Sequence, residues 1–520
     1  MRRYKNIIGL SILLLVLSFS TFITSCTGDL DLSPIDSTLN TTSDALATES
    51  DYKAFLAKCY AALAVSSSSG PSGTADISGI DGGFGQYIRA LFYLNEMTTD
   101  EAVIGWNDGT IRNLHGLSWT SSDVYVGAAY YRTLYEVSLC NEFIRQAKKS
   151  GITSDNMAYY IAEARALRAL AYYHALDMFG NIPFSTEDDD VGSTLPEQIS
   201  RVNLYAWLVA EIQDFIGDLK PARENDYGRM DQGAANMILA KLYLNANVYA
   251  DLDKYSECAT VCKTIAESYS LVDNYSYLFL ADNNETCQDE IIFPVEQDGI
   301  YTQSYGCTNF IIFAATGGSM PAKTLMGISS GWGGLRTTPE FVDLFDTIND
   351  TRALFYTEGQ EKEIADLGTF TDGYAVTKFR NIRSDGTNGS SYGFVDTDFP
   401  LFRLADVYLM LAECAKRGAT TATTTEGLYY LNKVRTRANL EALSSYTLQN
   451  VLDERGRELY WEGHRRSDLI RFGKFTPSDY VWAWKGNLEA GTGVADKFNL
   501  FPIPDDDINA NSNLVQNTGY

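Results

Sequence analysis

The chain has 520 residues and a formal net charge of -26, from 67 acidic against 41 basic side chains. That sign of charge argues against nucleic acid as a partner, because such binding depends on cations neutralising phosphates. The length allows a large core, and eight cysteines spread thinly over it do not read as a disulfide framework. At the start, Arg2, Arg3 and Lys5 precede an apolar run from Ile7 to Phe22, and Thr24 and Ser25 lead into Cys26. A membrane-spanning helix needs about 20 apolar residues. This shorter order of basic, apolar and small segments is that of a secretion signal over residues 1–25. Ile23-Thr24-Ser25-Cys26 is a loose form of the site cut by lipoprotein signal peptidase, so Cys26 is expected to carry lipid. Residues 26–50, rich in Ser, Thr, Asp and Leu, read as a lipidated tether, and 51–520 as a single domain.

From Asp51 the pattern is helical. Segments Asp51 to Ala64, Asp123 to Lys149, Asp155 to Phe179, Leu204 to Leu219, Asp231 to Tyr249 and Lys254 to Tyr269 are predicted helices. In the third, Met157, Ile161, Ala164, Leu167, Ala171, Ala175 and Met178 recur at spacings of three and four, one face of a helix. Asp155 is its expected N-cap and Gly180 its stop. Small Ala residues beside Tyr and Leu resemble the packing of tetratricopeptide hairpins, though no fixed period of about 34 residues separates them. The fold expected is mainly α: a tetratricopeptide-like helical-hairpin scaffold over 51–282 and 401–475.

Residues 283–400 differ, being rich in Gly, Asn, Asp, Thr and aromatics. They read as a loop-rich insertion forming the ligand face, with one short strand within Gln288 to Val295 and turns at Gly317-Gly318 and Gly331-Trp332-Gly333-Gly334. Helices return at Leu401 to Arg417, Glu426 to Arg437 and Leu448 to Gly463, and residues 476–520 form a tail. The seven cysteines after Cys26 are expected as buried thiols, including the pair Cys258 and Cys262.

No catalytic fingerprint occurs among the motifs of phosphate loops, nucleophile elbows or zinc helices. Glu458, Glu462 and Asp468 are carboxylates that a glycosidase would need in pairs. They are better read as ion-pair partners, with Asp453 or Glu454 pairing Arg457 one helical turn on, and Arg465, Arg466 and Arg471 offsetting the rest. Asp188–Asp190 and Asp505–Asp507 lack the spacing of an EF-hand loop and read as solvated turns. No cofactor and no metal site is expected.

The C-terminal third carries a resemblance. Phe402-Arg403-Leu404-Ala405-Asp406-Val407 through Ala412-Glu413, then Leu431-Asn432-Lys433-Val434-Arg435-Thr436-Arg437-Ala438, resemble two signature helices of the SusD/RagB family. Glu454-Arg455, Arg457-Glu458-Leu459, Glu462-Gly463-His464-Arg465 and Asp468-Leu469 are similar to its longest block. The close from Phe501-Pro502-Ile503-Pro504 to Gln516-Asn517-Thr518-Gly519-Tyr520 matches in kind, as do Asn95-Glu96-Met97-Thr98-Thr99-Asp100-Glu101 and Phe179-Gly180-Asn181-Ile182-Pro183 earlier on. The resemblance implies an outer-membrane lipoprotein facing the cell exterior. It also implies a tetratricopeptide-like scaffold that captures glycan, or in some branches peptide, without enzymatic activity. The implied partner is a SusC-like TonB-dependent transporter.

A sugar offers flat C–H faces rimmed by hydroxyls, so its site pairs aromatic platforms with polar hydrogen-bonders. Ile104-Gly105-Trp106-Asn107-Asp108-Gly109 supplies both in one loop. Carried over from the family, Trp106 is the first candidate platform, with Asn107 and Asp108 beside it. Arg89 stands upstream at a position similar to a glycan-binding Arg, and Tyr301, Tyr305 and Trp332 are candidates for the opposite wall. The second platform Trp, usual two residues before the first, is Ile104 here, which weighs against a starch-type ligand. A peptide-binding member of the same architecture and a secreted glycosidase are the competing readings.

Overall fold

The computed structural model describes residues 46–67, 69–192 and 194–520. The signal segment, Cys26 and nearly all of the tether lie outside the described residues. Contacts within the chain group Met1–Tyr52 apart from Lys53–Tyr520, and the packing described below lies in the latter. No helix among the described residues is long and apolar enough to cross a membrane.

The scaffold is helical. In chain order its main elements are α1 (Glu49–Ala61), α2 (Tyr87–Asn95), α3 (Val124–Lys149), α4 (Asp155–Phe179), α5 (Arg201–Phe215), α6 (Gln232–Leu244) and α7 (Tyr255–Ala266). Within the insertion stands α8 (Cys307–Ala315), and after it come α9 (Leu404–Lys416), α10 (Thr424–Arg437), α11 (Leu448–Leu459), α12 (Arg465–Arg471) and α13 (Asp505–Ala510). Successive neighbours pack: α3 on α4, α4 on α5, α6 on α7, α7 on α9, and α9 on α10 and α11. The mainly α, hairpin-built scaffold expected from the spacings is what the structure shows.

Local chemistry sets the helix starts. The Asp123 carboxylate accepts the amides of Tyr125 and Val126, capping α3, and Asp231 accepts that of Ala234 before α6. Thr423 and Glu426 form a reciprocal capping box on α10. At α4 the cap is Ser154, whose hydroxyl accepts the Met157 amide. The predicted N-cap Asp155 instead sits in the first turn, where an acid favours the dipole. Gly180 ends α4 with φ 72°, a left-handed value that a side chain would strain. The expectation of one apolar face on α4 fails: from Ala162 onward nearly every residue is buried, because α3, α5 and α6 pack around it. The helix predicted from Leu401 begins only at Leu404. Phe399–Arg403 is a strand pairing antiparallel with Ile291–Val295. The helix predicted through Gly463 stops at Leu459, and the separate α12 follows.

All seven described cysteines are buried free thiols, and the sulfurs of Cys258 and Cys262 lie 3.9 Å apart on α7. Beside Cys140 on α3, the Glu136 carboxyl accepts the thiol at 3.3 Å. Burial pushes that carboxyl up to about 8, against opposing pulls from the Cys140 hydrogen bond and from Arg132. In the unfolded chain the same group ionises near 4.5. A raised folded value means the group's stabilising share is complete below about 4.5 and lost as pH rises through about 8. Glu96 and Asp398, also raised by burial, act with the same sign. Glu136→Gln is therefore expected to remove only part of the alkaline slope of stability, a part on the order of a few kcal/mol between pH 5 and 9. Urea midpoints measured across that range check it, and identical slopes in the two proteins would sink it.

Candidate functional site

The family-like motifs meet in a buried ionic cluster. Arg403, 1% exposed, donates to both Glu462 oxygens at 2.6 and 2.8 Å, to Glu458 at 2.6 Å and to Glu290 at 3.1 Å. Arg352 bridges Asp350, Glu454 and Glu458. Lys378 donates to Glu462 at 2.6 Å. These cations hold Glu458 well below the usual carboxylate range, with Arg437 the first cause after burial, and Glu454 down to about 2. Asp468 is held by Arg455 and Arg471. The three carboxylates that a glycosidase would need are thus each spent on ion pairs. The pairing differs in detail from expectation. Arg457 takes Glu454, while Asp453 accepts Gln449. Arg465 reaches back to Asp100 at 2.7 and 2.8 Å, and Arg471 takes Glu413 as well as Asp468.

That reach ties the C-terminal block to the segment before the candidate loop. Glu96 accepts the amides of Gly463 and His464, and Glu101 accepts that of Trp461. Two residues on, Val103–Ile104 (β1) pairs antiparallel with Leu335–Arg336 (β2), Val103 against Arg336 and Ile104 against Leu335. This short ladder sets the Trp106 loop beside the Gly-Trp-Gly-Gly loop. Arg112 pins the former through the carbonyls of Trp106 and Gly105 at 2.9 and 2.7 Å. Amides of Trp332, Gly333 and Gly334 donate to carbonyls at the end of α8. A Cβ on Gly334 would stand 2.6 Å from the Trp106 ring, and one on Gly331 only 1.9 Å from the Thr316 carbonyl, so both turns depend on glycine.

The result is an arc of aromatic rings. Trp106 and Trp332 have centroids 6.3 Å apart, with the Trp106 N–H donating to the Trp332 carbonyl at 3.3 Å. Tyr305 stands edge-on to Trp332 at 5.8 Å and stacks on Phe394 at 6.0 Å. Arg89 fastens the arc at the Tyr305 carbonyl and the Phe310 ring. Its guanidinium donates to the carbonyls of Gly83 and Tyr305 and to the Tyr93 hydroxyl, and lies 4.3 Å from the Phe310 centroid. Trp106, Arg89 and Asp108 line a cavity of about 660 Å³, with Tyr93, Tyr125 and the turn Pro504–Asp506 on other sides.

Trp106, Trp332, Tyr305 and Arg89 are therefore gathered in one place, and Asn107 and Asp108 are exposed on the loop that carries Trp106. Tyr301 is not among them: 88% exposed, it rims a separate cavity of about 420 Å³ lined by α1 residues Leu56, Ala57 and Tyr60 and by Phe293 to Glu296. Ile104 is buried in β1. That position faces the interior, so it adds no platform to the arc. The sequence reading missed Phe310 and Phe394, and it missed Asp505 and Asp506, which are not a simple solvated turn. They open α13 and line the cavity. The signal available was their place directly after the Pro-Ile-Pro close. All three histidines are driven down by burial, His115 to about 4 and His174 to about 3, and none lines the cavity.

Fold and site together define a class: a tetratricopeptide-like helical scaffold whose inserted loops complete an arc of aromatic rings beside a cavity. The family model described as SusD family matches residues 354–520. Over 97% of this chain and 98% of its own length, the starch-binding protein SusD of Bacteroides thetaiotaomicron is 35% identical. A SusD-like protein of Bacteroides ovatus is 25% identical over 61% of this chain and 59% of its own. Among solved structures, surface glycan-binding protein A from Bacteroides thetaiotaomicron in complex with laminarihexaose superposes with a TM-score of 0.71 at 23% identity, covering 90% of this chain and 99% of that one. The chain belongs to the SusD family.

Proposed function

We propose that this chain is a cell-surface lipoprotein that captures oligo- or polysaccharide at the aromatic arc and delivers it to a TonB-dependent outer-membrane transporter. The arc of Trp106, Trp332 and Tyr305, whose Trp106 end lines the 660 Å³ cavity, carries the reading. Rings set at angles to one another suit the successive faces of a bent sugar chain, each offering C–H groups to a π-face. Asn107 and Asp108 supply polar partners beside Trp106. Arg89 fixes the rings through Nε and Nη1, which are held by Tyr93, Gly83 and Tyr305. A relative named for starch and a neighbour holding laminarihexaose support a glycan as the ligand class.

In this reading Cys26 anchors the protein to the outer membrane, the partner is a SusC-like barrel, and the chain itself breaks no bond. Anchoring in the same membrane raises the effective concentration of such a partner, so modest intrinsic affinity suffices. The test is calorimetry of the detergent-solubilised full chain with maltoheptaose and laminarihexaose, joined to cross-linked pull-down from cells grown on the glycan that binds. Binding together with recovery of a barrel protein is expected. No binding to any glycan would defeat the capture role, and recovery of the chain alone would defeat the delivery role.

A further inference from the structure

We propose that the acidic side chains lining the cavity at Trp106 make it a charge filter, admitting uncharged glycans and rejecting those bearing uronic acids or sulfates. This rests on the glycan reading above. Asp81, Asp108, Asp505 and Asp506 are exposed residues lining the cavity, and Asp123 adds a fifth carboxyl at its wall. They come from three stretches distant in sequence, which the fold brings to one opening. The acidic turn is held in place: the Asp505 amide donates to the Ser121 carbonyl at 3.1 Å, and the Tyr130 hydroxyl donates to Asp507.

Against these stands one lining cation, Arg89. Its guanidinium is turned to two carbonyls, a tyrosine hydroxyl and the Phe310 face. Among the described residues no salt bridge neutralises Asp81, Asp108, Asp505 or Asp506. A carboxylate or sulfate on a sugar stacked against Trp106 would enter a concavity ringed by like charge, close enough for repulsion to survive screening by salt in part. A neutral sugar meets the same groups favourably. Its hydroxyls donate, and ionised carboxylates only accept. One set of side chains thus both recognises hydroxyls and excludes anions.

The test uses the full chain in mild detergent, with maltoheptaose and laminarihexaose as neutral probes and oligogalacturonate and chondroitin oligosaccharides as anionic ones. Anionic probes are expected to bind about 100-fold more weakly than the neutral probe that binds best, in line with the cost of like-charge juxtaposition. In Asp81→Asn/Asp505→Asn/Asp506→Asn the ratio of anionic to neutral affinity is expected to rise at least about tenfold. Asp506→Asn alone, in the exposed first turn of α13, should move the ratio the same way if the triple variant is poorly folded. Equal binding of both probe classes by the native chain, or an unchanged ratio in both variants, overturns the filter and leaves the glycan reading standing. Binding of neither class overturns the glycan reading and the filter with it.

Discussion

Arg403→Ala is expected to lower the stability of the folded chain by about 3–5 kcal/mol, the cost of removing one partner from a buried ionic cluster. The guanidinium lies at the junction of strand Phe399–Arg403 and α9, and it contacts Glu290, Glu458 and Glu462 with five hydrogen bonds, one of them to the Glu458 carbonyl. Without it the two α11–α12 acids lose their shared cation. Glu462 retains Lys378, but burial brings that ammonium down to about 8, so it is the weaker counter-ion. Glu458 retains Arg352 and Arg437, which limits the loss to the lower part of the range if the side chains repack. Arg403→Lys should recover little, because an ammonium cannot span the three carboxylates as a planar fork does. Urea midpoints of the purified proteins read the effect. A change under about 1 kcal/mol would mean that the cluster behaves like a surface network and does not clamp the signature helices together.

That cluster explains which parts of the molecule were legible in the sequence. The residues that carried the family resemblance, Arg403, Asp406, Glu413, Arg437, Glu454, Arg455, Glu458, Glu462 and Arg465, are nearly all buried charges. A buried charge needs a partner of opposite sign at one geometry, so little else can stand there and the motif is recognisable. Helix existence was legible for the same kind of reason, through periodicity and capping side chains. What periodicity could not show was α4 buried on all sides, or α12 as a separate helix, since those depend on which neighbours surround a segment. Trp106 and Trp332 stood out as large rings flanked by glycine. Tyr301 had a similar local setting yet faces another cavity, because side-chain direction in a loop is set by contacts far away in sequence. Phe310 and Phe394 reach the arc, and Asp81 and Asp505 the cavity, from separate stretches, and no local pattern marks them.

At the arc, Trp106→Ala and Trp332→Ala are each expected to weaken glycan binding by roughly 1–3 kcal/mol, about 5- to 150-fold, by analogy with stacking of other flat rings on aromatic side chains. Trp332 should show the cleaner loss. Its ring touches Phe313 and Tyr305, so its removal takes away a face of the arc and leaves the β1–β2 ladder intact. Trp106 also seals against Gly334 and donates to the Trp332 carbonyl. Its loss should therefore loosen the neighbouring ring, and the double variant should cost less than the sum of the singles. Tyr301→Ala supplies the internal control: its ring is 88% exposed at the other cavity, and affinity should not change. Calorimetry with the best-binding neutral oligosaccharide, alongside melting temperatures, separates the outcomes. Undiminished affinity in both tryptophan variants would reduce the arc to loop packing, whereas a loss on Tyr301→Ala equal to theirs would move the ligand to the face beside α1.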